Sequence, residues 1–131
     1  MGLGDSILKA LLADSANFAE SGTYTPAANP EAVPVSCTVR FVRHEPSLDR
    51  RAEKSVLVRS GIMEVLSSVD ATYGGIVLPT IGDQWNLGIL KGGSAVAWSA
   101  GAPRGGDGRW FIPLTREEIQ EVGGHREGKA N

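Results

Sequence analysis

Side chains that commonly act as nucleophiles, general bases or metal ligands are scarce in this chain. It has one cysteine, Cys37, and two histidines, His44 and His125, among 131 residues. Cys37 lies in a run where apolar residues alternate, which favours a small buried hydrophobe on a strand over a reactive thiol. Both histidines lie in polar segments, and the sequence places no third catalytic group beside them. We therefore expect no internal disulfide, no zinc site and no catalytic histidine.

Glycine-rich segments can hold phosphate, but those of this chain have the pattern of turns. Residues 101–108 lack the lysine and serine or threonine of a nucleotide-binding loop and precede a predicted strand rather than a helix. Gly82 and Asp83 suit a turn in which glycine adopts positive φ and aspartate bonds its own backbone. No second carboxylate lies at a spacing that would indicate acid–base catalysis. The sequence therefore predicts neither an enzyme nor a bound cofactor.

Three tryptophans, Trp85, Trp98 and Trp110, lie in three different predicted strands. They could share a hydrophobic core or form a platform on which nucleic-acid bases stack. Basic residues do not interleave with them, as a strand-binding surface would require. The core is therefore the favoured interpretation.

Basic residues are concentrated in one part of the chain. This part could be a solvated charged surface, or it could meet an acidic protein surface or DNA phosphate. Glu45, Asp49 and Glu53 in the same segment weaken the DNA interpretation. The basic residues are Arg40, Arg43, Arg50, Arg51, Lys54 and Arg59.

Length and composition predict one domain with one modest core, since 41% of the 131 residues are hydrophobic. The formal net charge of -2 removes the bulk electrostatic attraction on which non-specific nucleic-acid binders depend. The first residues contain no basic segment followed by a long apolar run. We therefore expect neither a signal peptide nor a membrane span.

An N-terminal helix and several short strands are predicted to position these residues. Residues 5–18 carry apolar side chains at helical spacing, and residues 35–41 alternate as in a strand with one buried face. Residues 44–54 are highly charged and are predicted to form a long, mobile loop between strands. Residues 61–69 fit either a strand or a helical turn. Further strands are predicted around residues 56–58, 85–90, 94–99 and 109–114.

The predicted fold class is mainly β (α+β), a small β-barrel or sandwich with an N-terminal helix, the long mobile loop and a polar C-terminal tail. Residues 1–131 form one domain in this prediction. The helix and an arm take residues 1–22, the barrel takes residues 23–115 and the tail takes residues 116–131.

Several short motifs give the chain a resemblance to the phage head–tail joining protein family, the lambda-type stopper or head-completion proteins of phages, prophages and gene transfer agents. They are Y-T-P from Tyr24, the V-R-F-V strand, the charged loop, L-V-R from Leu57 and the Gly82-Asp83 turn before an aromatic strand. Residues 61–78 and the R-W-F-I-P-L segment depart from the usual pattern. The resemblance implies a β-barrel that assembles into a hexameric ring.

This resemblance also implies partners and a location. The ring would lie in the virion neck, between the portal or adaptor protein and the tail terminator or tail tube protein, and would help to retain packaged DNA, with lumenal DNA contact as an option. The subunit would be in the host cytoplasm during assembly. The interface residues expected on this basis are Tyr24, Arg43, His44, Asp49, Arg50, Arg51, Lys54 and Arg126. Alternatives are an adaptor or tail terminator ring of the same neck, or a small β-barrel that binds a ligand through a tryptophan.

Overall fold

A computed structural model describes residues 3–14, 17–52 and 54–121. The chain is mostly β, with one short helix at its N-terminal end, as the alternating apolar pattern predicted. The elements are α1 Leu3–Leu12, β1 Ala19–Thr25, β2 Val35–Arg43, β3 Ser47–Arg51, β4 Lys54–Leu66, β5 Gln84–Gly88, β6 Ala95–Ala100, β7 Arg104–Gly106 and β8 Arg109–Glu121.

Six antiparallel strands form a closed barrel in the order β4-β2-β1-β5-β6-β8. The barrel closes because β4 pairs with β8 along its whole length, from Lys54 opposite Glu121 to Leu66 opposite Arg109. β3 and β7 lie outside the closed ring of strands, on β4 and β8 respectively. Closure removes the free edges of these strands where they pair around the ring, whereas residues 116–121 of β8 pair on one side only in the described part of the chain.

The barrel interior is filled by side chains. Trp85 and Trp98 are directly opposite each other on β5 and β6, and both are almost completely buried. Tyr24 packs against Trp85 with ring centroids 5.1 Å apart, and Phe41 meets Trp98 edge-on at 5.0 Å. Trp110 packs against the same core. The prediction that the tryptophans share a core is confirmed.

The helix is shorter than predicted. It ends at Leu12 rather than at residue 18, and Leu8 and Leu12 pack against Ala19 and Leu66 in a second, smaller apolar cluster. Past the helix, the Asp14 carbonyl accepts hydrogen bonds from the backbone N–H groups of residues 18 and 19. The strand β1 therefore begins within the segment predicted to be an arm.

The prediction of a mobile loop at residues 44–54 is wrong for most of the segment. β3 lies there and pairs with residues 54–58 of β4. Arg43 is opposite Gly61 and Ser47 is opposite Val58, so three residues of this segment face two residues of β4, as in a β-bulge. Charge alone did not prevent strand formation, since β4 offers the backbone hydrogen bonds that a charged segment cannot make by itself.

The predicted polar tail begins too early. Residues 116–121 continue β8, because β4 supplies a partner for each of them, and residues 122–131 lie outside the described residues. The segment at residues 61–69 is a strand as far as Leu66. Residues 47–51, 54–60 and 115–121 together form a three-stranded sheet that continues from the barrel, called the extension below.

Candidate functional site

Arg43 occupies one end of the barrel interior. Its guanidinium donates hydrogen bonds to the two Glu20 carboxylate oxygens at 2.8 and 2.7 Å, and to the Gly88 carbonyl oxygen at 2.8 Å. It also lies 4.5 Å from the centroid of the Phe41 ring. The Arg43 and Glu20 side chains are only 16% and 8% exposed. This bidentate pair therefore ties β1, β2 and β5 together where they meet the extension.

Asp83 occupies the opposite end of the barrel and is fully buried. Its carboxylate accepts four hydrogen bonds, from the Thr80 N–H, the Thr80 hydroxyl and the Ala27 N–H at 2.8 Å each, and from the Tyr24 hydroxyl at 2.9 Å. Burial alone would raise the pKa of the Asp83 carboxyl, but these donors together lower it below its usual value. A buried carboxylate with four donors holds two chain connections in one geometry.

The two connections held by Asp83 expose aliphatic side chains to solvent. Residues 26–34 join β1 to β2, and residues 67–83 join β4 to β5, so both leave the barrel at the Asp83 end. Their exposed aliphatic residues, called the aliphatic end below, are Val33, Val69, Val77, Leu78 and Ile81. Residues 76–82 contain no charged side chain. Contiguous exposed apolar surface is typical of a protein-binding site, and Val77, Leu78 and Ile81 lie within five residues of one connection.

Charged side chains dominate the extension, at the other end of the barrel. Arg51 pairs with Asp49 at 3.0 Å and with both carboxylate oxygens of Glu117 at 2.9 and 3.1 Å. Arg59 and Arg116 both reach Glu118 at 3.1 Å. Burial acts to raise the pKa of the Glu118 carboxyl, and the two arginines outweigh it and lower this pKa. Much of the basic concentration seen in the sequence is therefore neutralised by nearby carboxylates.

The residues predicted to form an interface fall into two groups. Tyr24 and Arg43 are buried or largely shielded and make contacts within the chain. The other described ones lie in the extension or beside it and are exposed; they are His44, Asp49, Arg50, Arg51 and Lys54. Arg126 lies outside the described residues. The interface role of the whole set stays a prediction.

The aliphatic end was missed at the level of sequence, although a signal for it exists. The segment I-V-L-P-T-I places aliphatic residues on both sides of Pro79, which cannot donate a ladder hydrogen bond and disfavours a buried central strand. An apolar run that cannot enter a sheet has to be buried by a loop or remain exposed. Here only Ile76 of this run is buried, against the Trp110 side chain that donates to its carbonyl.

Surface grooves of the described residues are open to solvent and carry no cluster of catalytic groups. One of ≈ 560 Å³ lies along residues 25–34, and another of ≈ 440 Å³ lies between β6 and β8. Within residues 3–14, 17–52 and 54–121, no three His, Cys, Asp or Glu side chains are placed to hold a metal ion. The described helix is too short to cross a membrane.

Comparison of the chain with models of protein families, with curated proteins and with solved structures finds no match.

Proposed function

We propose that this chain is a structural, non-enzymatic protein of a tailed-phage neck, in which a ring of copies joins the DNA-filled head to the tail and helps to retain the DNA. The observation that carries the proposal is the difference between the two ends of a rigid barrel. One end exposes Val77, Leu78 and Ile81, and the other continues into the charged extension. A protein that connects two different neighbours needs two different surfaces on one rigid body.

Rigidity of the body is supported at both ends by buried polar groups. Asp83 receives four hydrogen bonds at the aliphatic end, and the Arg43–Glu20 pair lies at the end that meets the extension. Both networks join residues far apart in the chain, so each fixes loops and strands relative to the barrel. Surfaces held in this way lose little conformational entropy on binding.

The filled barrel argues against the ligand-binding alternative. Trp85 and Trp98, the tryptophans best placed inside the barrel, are 0% and 2% exposed and pack against other core side chains. Trp98 lines the ≈ 440 Å³ groove between β6 and β8, but at 2% exposure its ring offers a ligand almost no surface. A ligand held by a tryptophan would need an accessible ring. Joining of two protein rings needs no accessible tryptophan.

The position within the neck is part of the proposal. The motifs around Tyr24, Leu57 and Gly82 resemble the stopper or head-completion proteins, and we place the ring between the portal or adaptor and the tail terminator or tail tube. A protein contact of the extension is favoured over a DNA contact, because Arg43, Arg51 and Arg59 are already paired with carboxylates. An adaptor or tail terminator of the same neck is the alternative.

Reconstitution tests this proposal. DNA-filled heads that carry the portal but lack this protein are mixed with tails and with the purified chain, and joined particles are counted by electron microscopy. Light scattering gives the mass of the chain before and after incubation with the heads. We expect a ring of copies on each head and restored joining.

Deletion of residues 45–53 provides the matched variant. It removes β3 and joins His44 to Lys54, so residues 54–60 have to form the new connection while residues 61–66 of β4 keep their pairs with β2 and β8. The barrel core is retained, so we expect a folded protein whose tryptophan near-ultraviolet circular dichroism is unchanged. The variant should no longer join heads to tails. Normal joining by this variant, or an intact chain that does not associate with heads, would contradict the proposal.

A further inference from the structure

The extension presents two strand edges without a backbone partner among the described residues. β3 pairs only with β4, and residues 117–121 of β8 pair only with β4 as well. Each outer edge therefore carries N–H and C=O groups that point away from the sheet. Free edges of this kind are templates for another strand.

The two free edges have directions that allow one copy to add to the next in the same orientation. β3 and β8 are each antiparallel to β4, so they run parallel to each other. A copy whose β3 lies beside the outer edge of β8 repeats the geometry of the first copy and leaves a new free β8 edge. Such head-to-tail contacts form rings when the rotation closes.

Charge favours pairing of unlike edges over pairing of like edges. β3 carries Arg50 and Arg51 next to Lys54, and residues 117–121 read E-E-I-Q-E. Two β8 edges side by side would bring acidic residues together, which is destabilising. The side chains of Arg50 and Lys54 make no hydrogen bond or ion pair within residues 3–14, 17–52 and 54–121. They are therefore available to carboxylates of another copy.

The outer edge of β8 is uncovered past its pairs with β6. β6 and β8 pair only at Ser99–Thr115 and Ala100–Leu114, and no described strand pairs with this edge at residues 117–121. A groove of ≈ 440 Å³ runs from these pairs to Glu117, the first residue of the free edge. β3 has five residues, matching residues 117–121 in length. Leu48 and Ile119 are 63% and 61% exposed in the isolated subunit and would gain burial in such a contact.

We propose that β3 of one copy pairs in parallel with residues 117–121 of β8 in the next copy, forming a continuous sheet around the ring. This contact rests on the ring of the proposed function and specifies how its subunits meet. Arg50 and Lys54 of the extension then act between copies, and the aliphatic end is left for the neighbouring ring.

Cross-linking of two singly substituted chains tests the contact. Leu48→Cys and Ile119→Cys place a thiol on β3 and on β8 at exposed positions, and Cys37 is buried. Each variant is treated with a short bismaleimide alone and as a mixture, both at high protein concentration and on portal-bearing heads. Because each chain carries only one accessible thiol, a covalent dimer reports a contact between copies.

We expect a cross-linked dimer in the mixture and its loss when either variant is treated alone. A dimer from Leu48→Cys alone, or from Ile119→Cys alone, would indicate a two-fold contact and overturn the head-to-tail arrangement. Absence of the mixed dimer in both settings would overturn it too. If the variants still join heads to tails in that case, the proposed function stands and this contact alone is wrong. A mixed dimer from chains that do not associate with heads would support the contact and contradict the neck function.

A charge reversal gives a second readout. Arg50→Glu should reduce the yield of the mixed dimer about twofold to fivefold, the range expected for loss of an exposed ion pair. Arg104→Glu makes the same change at an exposed position of β7, outside the extension, and should leave the yield unchanged. Both charge reversals are made in the Leu48→Cys chain. Equal yields of the mixed dimer with and without Arg50→Glu would contradict a role of charge in this pairing and, with it, the choice of unlike edges.

Discussion

The hydroxyl of Tyr24 donates a hydrogen bond to the carboxylate of Asp83 over 2.9 Å, inside the barrel end and across 59 positions of the chain. The same carboxylate binds the backbone of Ala27 and of Thr80, one residue in each of the two connections that form the aliphatic end. A buried ion with this many donors is costly to disturb, since each donor left without it would be unsatisfied. The aliphatic end, which is the surface proposed to contact a neighbouring ring, therefore depends on the buried Asp83 carboxylate.

Removal of the Tyr24 hydroxyl should weaken the fold. We expect Tyr24→Phe to lower the free energy of unfolding by about 1.5 kcal/mol, because a hydrogen bond to a buried charged group is lost while the ring packing against Trp85 remains. Urea unfolding followed by tryptophan fluorescence measures the change. Tyr73→Phe is the control, since the Tyr73 hydroxyl makes no hydrogen bond with the described residues. An equal loss in both variants would contradict the role given to the Tyr24–Asp83 bond.

Asp83 should make the stability depend on acid pH. Its pKa is lowered in the folded chain, so its stabilisation is fully present above about pH 4, the ordinary pKa of an unfolded aspartate. This stabilisation is lost as the pH falls further, through the folded value. We expect Asp83→Asn to cost about 3 kcal/mol at pH 7 and distinctly less at pH 3. A loss of the same size at both pH values would show that the carboxylate charge does not contribute.

Tyr24 should have the opposite effect at high pH. Burial and the bond to Asp83 raise the pKa of the Tyr24 hydroxyl from 10.0 to about 12. Above pH 10 the unfolded chain loses this proton while the folded chain still keeps it, so deprotonation favours the unfolded chain. The stabilisation that Tyr24 contributes below pH 10 is therefore lost as the pH rises from 10 through 12. We expect the intact chain to lose about 1 kcal/mol more than Tyr24→Phe between pH 9 and pH 11. Parallel unfolding curves at both pH values measure this difference, and equal losses would contradict the raised pKa.

Arg43 should be a structural residue although its charge suggests an exposed role. Arg43→Met leaves Glu20 without its ion-pair partner in a site where it is only 8% exposed, and we expect a loss of about 3 kcal/mol. Arg50→Met removes a charge from the same part of the sequence but from an exposed side chain, and should change the stability by less than about 0.5 kcal/mol. Chemical unfolding of both variants makes the comparison. A small effect of Arg43→Met would show that the buried pair is not needed.

Leu78 should matter for joining and not for folding. It is 80% exposed, so Leu78→Asp should change the free energy of unfolding by less than about 0.5 kcal/mol. In the head–tail reconstitution the same variant should lose most of its activity, because a charge would be buried without a partner at the contact. Thr72→Asp adds the same charge at an exposed polar position of the same connection and should join normally. Normal joining by Leu78→Asp would remove the aliphatic end from the proposed contact.

The sequence by itself determined a mainly β fold and much of its core, and it left open whether the strands form a barrel or a sandwich. Cys37, Val39 and Phe41 alternate with polar residues, and the structure buries all three on one face of β2. The tryptophans were assigned to the core for a similarly local reason, since basic residues do not interleave with them along the chain. Alternation is a property of neighbouring residues, so it can be recognised without knowledge of the partner strand.

Only the tertiary structure decided the roles of β3, of the last part of β8 and of Asp83. Residues 47–51 and 116–121 are charged and have no apolar face of their own, and they are strands because β4 pairs with both. From the sequence, Asp83 was interpreted as an ordinary turn residue, because its hydrogen-bond donors Tyr24 and Ala27 are more than fifty positions away along the chain. Backbone pairing and buried hydrogen bonds join distant residues, and this is why spacing along the chain could not predict them.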